Sequence, residues 1–146
     1  MIKISHRGNL YGKNTSRENS PEYIIEAINA GYDVEIDFWV INNKMYLGHD
    51  EPTYEVDMYF INSYIKKLWL HCKNLEALDL VLSMPKYYNA FWHQEDNFTI
   101  TTNHFIWTYP GMPVKSKSIL VHKDMPTKNI LDQEMAGICS DFIGRV

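Results

Sequence analysis

Cysteine is scarce in this chain: two residues, Cys72 and Cys139, among 146. They are far apart, have no C-x-x-C spacing and fall in apolar stretches, so they read as reduced core thiols rather than a disulfide, and a cytoplasmic setting fits. Long apolar runs are also missing, so no integral membrane segment is expected. Nor is a secretory leader expected, because Met1-Ile2-Lys3-Ile4 already reads as a first strand. Positive charge is in short supply: 14 Lys and Arg against 18 Asp and Glu give a net charge of −4. A nucleic-acid partner, which would want a basic face, is therefore not expected, although a local basic pocket for one phosphate remains compatible. Repeats, low-complexity runs and linkers are absent, and the length suits a single domain over 1–146.

What is present is an ordinary apolar share, 45%, enough for a sizeable core. Aromatic residues are abundant at 14%, and the four Trp and ten Tyr must enter that core or a binding surface. Lys3–His6 reads as a strand, Gly8 as a sharp turn, and Gly12–Ser16 as a polar loop. Asn19-Ser20-Pro21 begins a helix whose apolar stripe is Tyr23, Ile24, Ala27 and Ile28, and Gly31 stops it. Asp33–Trp39 is a strand, Asn42-Asn43 a tight turn, and Met45–Leu47 a return. A helix over Val56–Lys66, a strand over Leu68–Lys73, a helix over Leu75–Leu82 capped by Asn74, and a strand over Asn89–His93 follow. Thr99–Thr102, Phe105–Tyr109 and Ser118–Val121 read as strands joined by loops, Thr127–Met135 as a last helix and Gly137–Asp141 as a final strand.

The organising stretch is Tyr32–Asp50. Side chains alternate along a strand, so Glu35 and Asp37 share one face while Val34, Ile36 and Phe38 face an apolar layer. Adjacent carboxylates repel unless a positive group lies between them, and a divalent cation such as Mg²⁺ or Ca²⁺ is the simplest such group. On a solvent-facing strand the same pattern would be only a polar face. About eight strands that begin as regular βα units suggest a (β/α) barrel. Such barrels usually need about 250 residues, so an α/β, pared-down TIM-type barrel with helices missing or shortened in its second half is expected.

His6-Arg7-Gly8, Glu18-Asn19, Glu35-x-Asp37 and His49-Asp50, in that order and spacing, resemble the glycerophosphodiester phosphodiesterase family of phospholipase C-like phosphodiesterases. The resemblance covers the first fifty residues well. Beyond them Leu70-His71-Cys72-Lys73 resembles the family's Glu-x-Lys strand, and Gly137–Gly144 resembles its closing strand. The resemblance implies a TIM-type barrel and a metal-dependent phosphodiesterase acting on a glycerophosphodiester or related small diester. His6 and His49 would be the catalytic histidines, one a general base and the other the acid for the leaving oxygen. Glu35 and Asp37 would be metal ligands, Arg7 a bidentate grip on phosphate, and Lys73 a positive charge for the transition state. Glu18 would either hold Arg7 or join the metal shell.

One position departs from the family: His71 stands where the third metal ligand is a Glu. A neutral ligand removes a negative charge, so Mn²⁺ or another transition metal gains ground over Mg²⁺ and Ca²⁺. His71 could equally be a proton-transfer group. Asp50 either orients His49 or caps its loop, Asp141 is a candidate rim residue, and His93 a candidate substrate contact. Trp39, Trp92, Trp107 and Tyr109 either line a groove or fill the core; His104 and His122 carry no functional expectation. Three readings compete with the hydrolase: a non-catalytic phosphate- or metal-binding module, a phospholipase D-like lyase that stops at a cyclic phosphate, and a structural or interaction domain whose aromatics form a partner surface. Strand faces exposed by missing helices would favour a homo-oligomer.

Overall fold

A computed structural model describes the whole chain, residues 1–146. Ten strands occur in chain order: β1 (Ile2–His6), β2 (Asp33–Ile41), β3 (Lys44–Leu47), β4 (Tyr54–Val56), β5 (Leu68–Cys72), β6 (Ala90–Trp92), β7 (Phe98–Ile100), β8 (Ile106–Thr108), β9 (Ser118–His122) and β10 (Gly137–Ser140). Helices α1 (Pro21–Asn29), α2 (Met58–Tyr64), α3 (Leu75–Ser83) and α4 (Lys128–Leu131) lie between them. The main sheet runs β6-β5-β2-β1-β10-β9-β8-β7. Every pairing from β6 to β8 is parallel, and β7 closes the order antiparallel to β8. The end of β2 also pairs antiparallel with β3, which pairs with β4.

The α/β class is therefore present, as a curled sheet with few helices. The expected TIM-type barrel is met only in that coarser sense. No strand ladder joins β6 to β7; a backbone hydrogen bond from Thr102 N to Ala90 O, 2.9 Å, spans that side. The antiparallel β7–β8 hairpin breaks the βα repeat where the sequence read two successive strands.

Strand alternation builds two apolar layers. Val34, Ile36 and Phe38 of β2 and Leu68, Leu70 and Cys72 of β5 pack outward against Ile24 and Ala27 of α1, Ile61 of α2, and Ala77 and Val81 of α3. On the other face Ile4, Trp69, Phe91, Trp107, Ile119, Val121 and Cys139 fill the inside of the curl. Each large apolar side chain so buried is worth about 1.5–3 kcal/mol. Gly137 is required in that interior, since a Cβ there would lie 2.6 Å from Ile2 O.

The helices form where caps satisfy their first N–H groups. Ser20 accepts from Tyr23 N, with Pro21 at the first helical position. Asp57 accepts from Phe60 N and Asn74 from Ala77 N. Asp57 also corrects the expected start of α2: Val56 belongs to β4, and the helix begins after the cap. The helix expected over Thr127–Met135 is one turn, α4, with no buried residue. Ile130 and Leu131 are too few to supply an apolar stripe.

Candidate functional site

The C-terminal ends of the parallel strands converge on a cleft of about 540 Å³. His6, Arg7, Glu35, His49, His71 and Lys73 line it, so most of the residues singled out in the sequence meet there. His93 and Tyr109 form the far wall with their rings stacked at 5.7 Å. Trp107 also lines it but is buried; Trp39 and Trp92 do not line it.

His6 is the last residue of β1. Asp141, just past β10, lies 2.7 Å from its Nδ1, which directs Nε2 toward Glu35 Oε2 at 3.9 Å. Burial opposes ionisation of Asp141, but the hydrogen bond and charge of His6, the hydrogen bond of Asn9 and the charge of Arg7 hold its carboxyl below the usual range. Asn9, fully buried, donates its Nδ2 to Asp141 Oδ1 at 2.8 Å and to Glu18 Oε1 at 2.9 Å. Asp141 is thus the brace of His6, a more specific role than the rim position its sequence suggested.

His49 stands at the end of β3. Gly48 N donates to Asp37 O at 3.1 Å, and a Cβ on Gly48 would meet Glu51 O at 2.0 Å, so only glycine makes this approach. Asp50 Oδ1 lies 2.7 Å from His49 Nδ1, which settles its role as the orienting partner. Each histidine thus has a carboxylate 2.7 Å from Nδ1, but His6 and Asp141 are buried, whereas His49 is 44% and Asp50 93% exposed.

Arg7 has φ +56, and Asn19 has φ +64. Arg7 N donates to Glu35 O at 3.0 Å and Asn19 N to Arg7 O at 3.1 Å, which ties both turns to β2. Arg7 Nε lies 2.9 Å from Asp37 Oδ2 and Nη1 3.5 Å from Glu18 Oε2. The guanidinium thus lies against two carboxylates while still lining the cleft. Glu18 takes the first of its two expected roles, holding Arg7 and Asn9, and lies outside the cluster that could hold a metal. Asn19 grips Asp37 twice: Nδ2 donates to Oδ2 at 2.8 Å, and Oδ1 accepts from Asp37 N at 2.9 Å. The sequence marked Asn19 as part of a helix start and of the Glu18-Asn19 motif, without a role, and Asn9 not at all.

Glu35, Asp37 and His71 place one ligand atom each within 4.8 Å of the others and could hold a metal ion. His71 Nδ1 is 3.1 Å from Asp37 Oδ1 and 3.5 Å from Glu35 Oε1. Cation–ligand bonds of about 2.0–2.6 Å imply neighbouring ligands about 3–3.5 Å apart, so the spacing fits. Glu35 Oε2 and Asp37 Oδ1 are buried without a properly aligned hydrogen-bond donor, an arrangement that a cation would relieve. Lys73 Nζ is 3.8 Å from Asp37 Oδ1. Burial opposes charge on Asp37, yet His71, Arg7 and Asn19 hold its carboxyl well below the usual range. Burial likewise opposes protonation of His71, but the facing carboxylates of Asp37 and Glu35 push its pKa up to about 9. His71 Nε2 donates to His93 O at 2.7 Å, and its ring stacks on Phe91 at 5.1 Å.

Comparison of the chain with protein-family models, with curated proteins and with solved structures gives no match.

Proposed function

We propose that the protein is a metal-dependent phosphodiesterase acting on a glycerophosphodiester or a related small diester. The observation that carries this reading is a pair of imidazoles each with a carboxylate at 2.7 Å, His6–Asp141 and His49–Asp50, on the cleft lined by Glu35 and His71, with Asp37 buried beside them. A module that only held phosphate would need neither brace. The resemblance of the His-Arg-Gly, Glu-x-Asp and His-Asp motifs supplies the substrate class, and the chemistry follows from the residues.

His6 is the general base, because its Nε2 faces the carboxylate cluster. Asp141 keeps a proton on Nδ1, which leaves the Nε2 lone pair free to take the proton of an attacking hydroxyl. As the new P–O bond forms and the old one breaks, His49 Nε2 delivers a proton to the departing oxygen at the open side of the cleft. A bound divalent ion would supply positive charge beside the phosphoryl oxygens. Lys73 and Arg7 add cationic charge next to Asp37, where the developing negative charge collects. A glycerol-type diester carries its own neighbouring hydroxyl, so attack by that group gives a cyclic phosphate, and water opens it in a second round.

The test is turnover of glycerophosphocholine, glycerophosphoethanolamine, glycerophosphoinositol, a lysophospholipid and bis-p-nitrophenyl phosphate, with EDTA or added divalent ions, followed by ³¹P NMR. Metal-dependent turnover is expected, and His6→Ala and His49→Ala should each lose about 10²–10⁴-fold. A cyclic phosphate that persists would identify the lyase. No turnover of any diester by folded protein would overturn the reading in favour of a binding module.

A further inference from the structure

We infer that the Glu35–Asp37–His71 site takes a first-row transition-metal divalent ion, from Mn²⁺ through Zn²⁺, in preference to Mg²⁺ or Ca²⁺. This inference rests on the phosphodiesterase reading only in placing an ion at that site. Its own support is the way His71 is built.

An imidazole binds a metal through one nitrogen, and the other nitrogen decides which. His71 Nε2 donates to His93 O at 2.7 Å, so that nitrogen carries hydrogen and the metal-facing atom is Nδ1. The carbonyl is itself held: the His93 ring stacks on Tyr109 at 5.7 Å and its Nε2 meets Asp96 O at 2.8 Å. Phe91 fixes the plane of the His71 ring from the side, 5.1 Å away and tilted by 13°. The nitrogen ligand is therefore oriented toward Glu35 and Asp37 before any ion arrives.

The rest of the site disfavours the hard ions. Ca²⁺ wants six to eight oxygens; Mg²⁺ keeps several waters and manages with one or two carboxylates, so what counts against it is the imidazole and the low charge, not the number of ligands. This chain offers two carboxylates and one nitrogen. Part of the carboxylate charge is already offset, since Arg7 Nε lies 2.9 Å and Lys73 Nζ 3.8 Å from Asp37. A site of low charge that includes imidazole loses the Coulombic advantage hard ions need and keeps the nitrogen bond that transition-metal ions favour.

The test compares binding of Mn²⁺, Zn²⁺, Mg²⁺ and Ca²⁺ by calorimetry to wild type and to His71→Glu, each checked for folding by circular dichroism. Carboxylate sites also favour Mn²⁺ over Mg²⁺ to some degree, so the decisive quantity is the change in that ratio. Wild type should prefer Mn²⁺ to Mg²⁺ by about 100-fold or more, and His71→Glu should cut the preference at least about tenfold. A second measurement needs no variant: Co²⁺-loaded wild type should show one hyperfine-shifted, exchangeable imidazole N–H signal, from His71 Nε2–H. An unchanged ratio in the variant, equal binding of Mg²⁺ and Mn²⁺, or no such signal with Co²⁺ bound would each overturn the inference. So would the absence of any ion binding. Diester turnover measured in parallel separates the two failures: turnover with Mg²⁺ bound as tightly as Mn²⁺ sinks the ion class and leaves the phosphodiesterase standing.

Discussion

Asn19 concentrates more of the site's stability than its place in a polar loop suggests. Its side chain is nearly fully buried and makes both hydrogen bonds to Asp37, one to the ionised carboxylate and one from the backbone N–H. Replacement by Ala removes a hydrogen bond to a charged group, worth about 1.5–3 kcal/mol, and orphans a buried N–H at a cost of about 1–3 kcal/mol. It also places a residue that resists φ +64 where Asn tolerates it. With partial relaxation the sum is about 3–5 kcal/mol, a large share of the 5–15 kcal/mol that typically stabilises a domain. In urea, with a slope of about 2 kcal/mol per molar, the midpoint should fall by about 2 M. Asn19→Gly loses the same hydrogen bonds without the backbone strain and should be about 1 kcal/mol less damaging than Asn19→Ala. A loss below about 1 kcal/mol for Asn19→Ala, or Gly no better than Ala, would refute the account.

The remaining predictions concern the brace, the thiols and the ring under His71. The pKa of Asp141 is lowered in the folded state, so its stabilisation is present above the ordinary carboxylate value near 3.9 and is lost as pH falls through the folded value. Asp141→Asn should therefore cost about 1–3 kcal/mol at neutral pH, and its deficit should shrink as the pH falls through the folded value of Asp141; a deficit constant with pH would count against the brace. Burial pushes the Cys72 thiol up to about 12 and raises Cys139 as well. Neither should react with a disulfide reagent in the native protein at about pH 8, and both should react once it is unfolded; a fast native thiol would contradict their packing. Phe91→Leu should keep the fold but weaken divalent-ion binding about tenfold by freeing the His71 ring, and calorimetry showing unchanged affinity would remove that role.

The first half of the site was legible because period-two alternation is local. Glu35 and Asp37 had to share a face once Val34, Ile36 and Phe38 were read as core, and β5 repeats the logic with Trp69 and His71 against Leu68, Leu70 and Cys72. The brace on His6 was out of reach because its two members are 135 residues apart and only the sheet order brings β10 beside β1. The acceptor on His71 is a backbone carbonyl, which leaves no mark in a sequence. The roles of Asn9 and Asn19 were hidden for another reason: Asn is the usual residue of turns and caps, so its presence in a loop raises no signal. The shortened α4 was foreseeable in kind, as the chain is too short for full helices in its second half, but not in place.

The second half shows how such a sheet can hold its strand ends without a layer of helices outside it. Inside the curl, Trp69 lies 5.6 Å from Phe105 and 6.0 Å from Trp107, Trp107 stacks on Phe91 at 4.3 Å, and Phe91 stacks on His71 at 5.1 Å. These rings come from β5, β6, β8 and the loop before β8, so they join the half that has helices to the half that lacks them. Large planar side chains have few rotamers, and interiors packed at crystal density transmit displacement rather than absorb it. The abundance of aromatics and the shortage of helices are therefore one feature. The rings provide the internal support on which His71 rests, and the position of its Nδ1, which faces Asp37 and Glu35, depends on it.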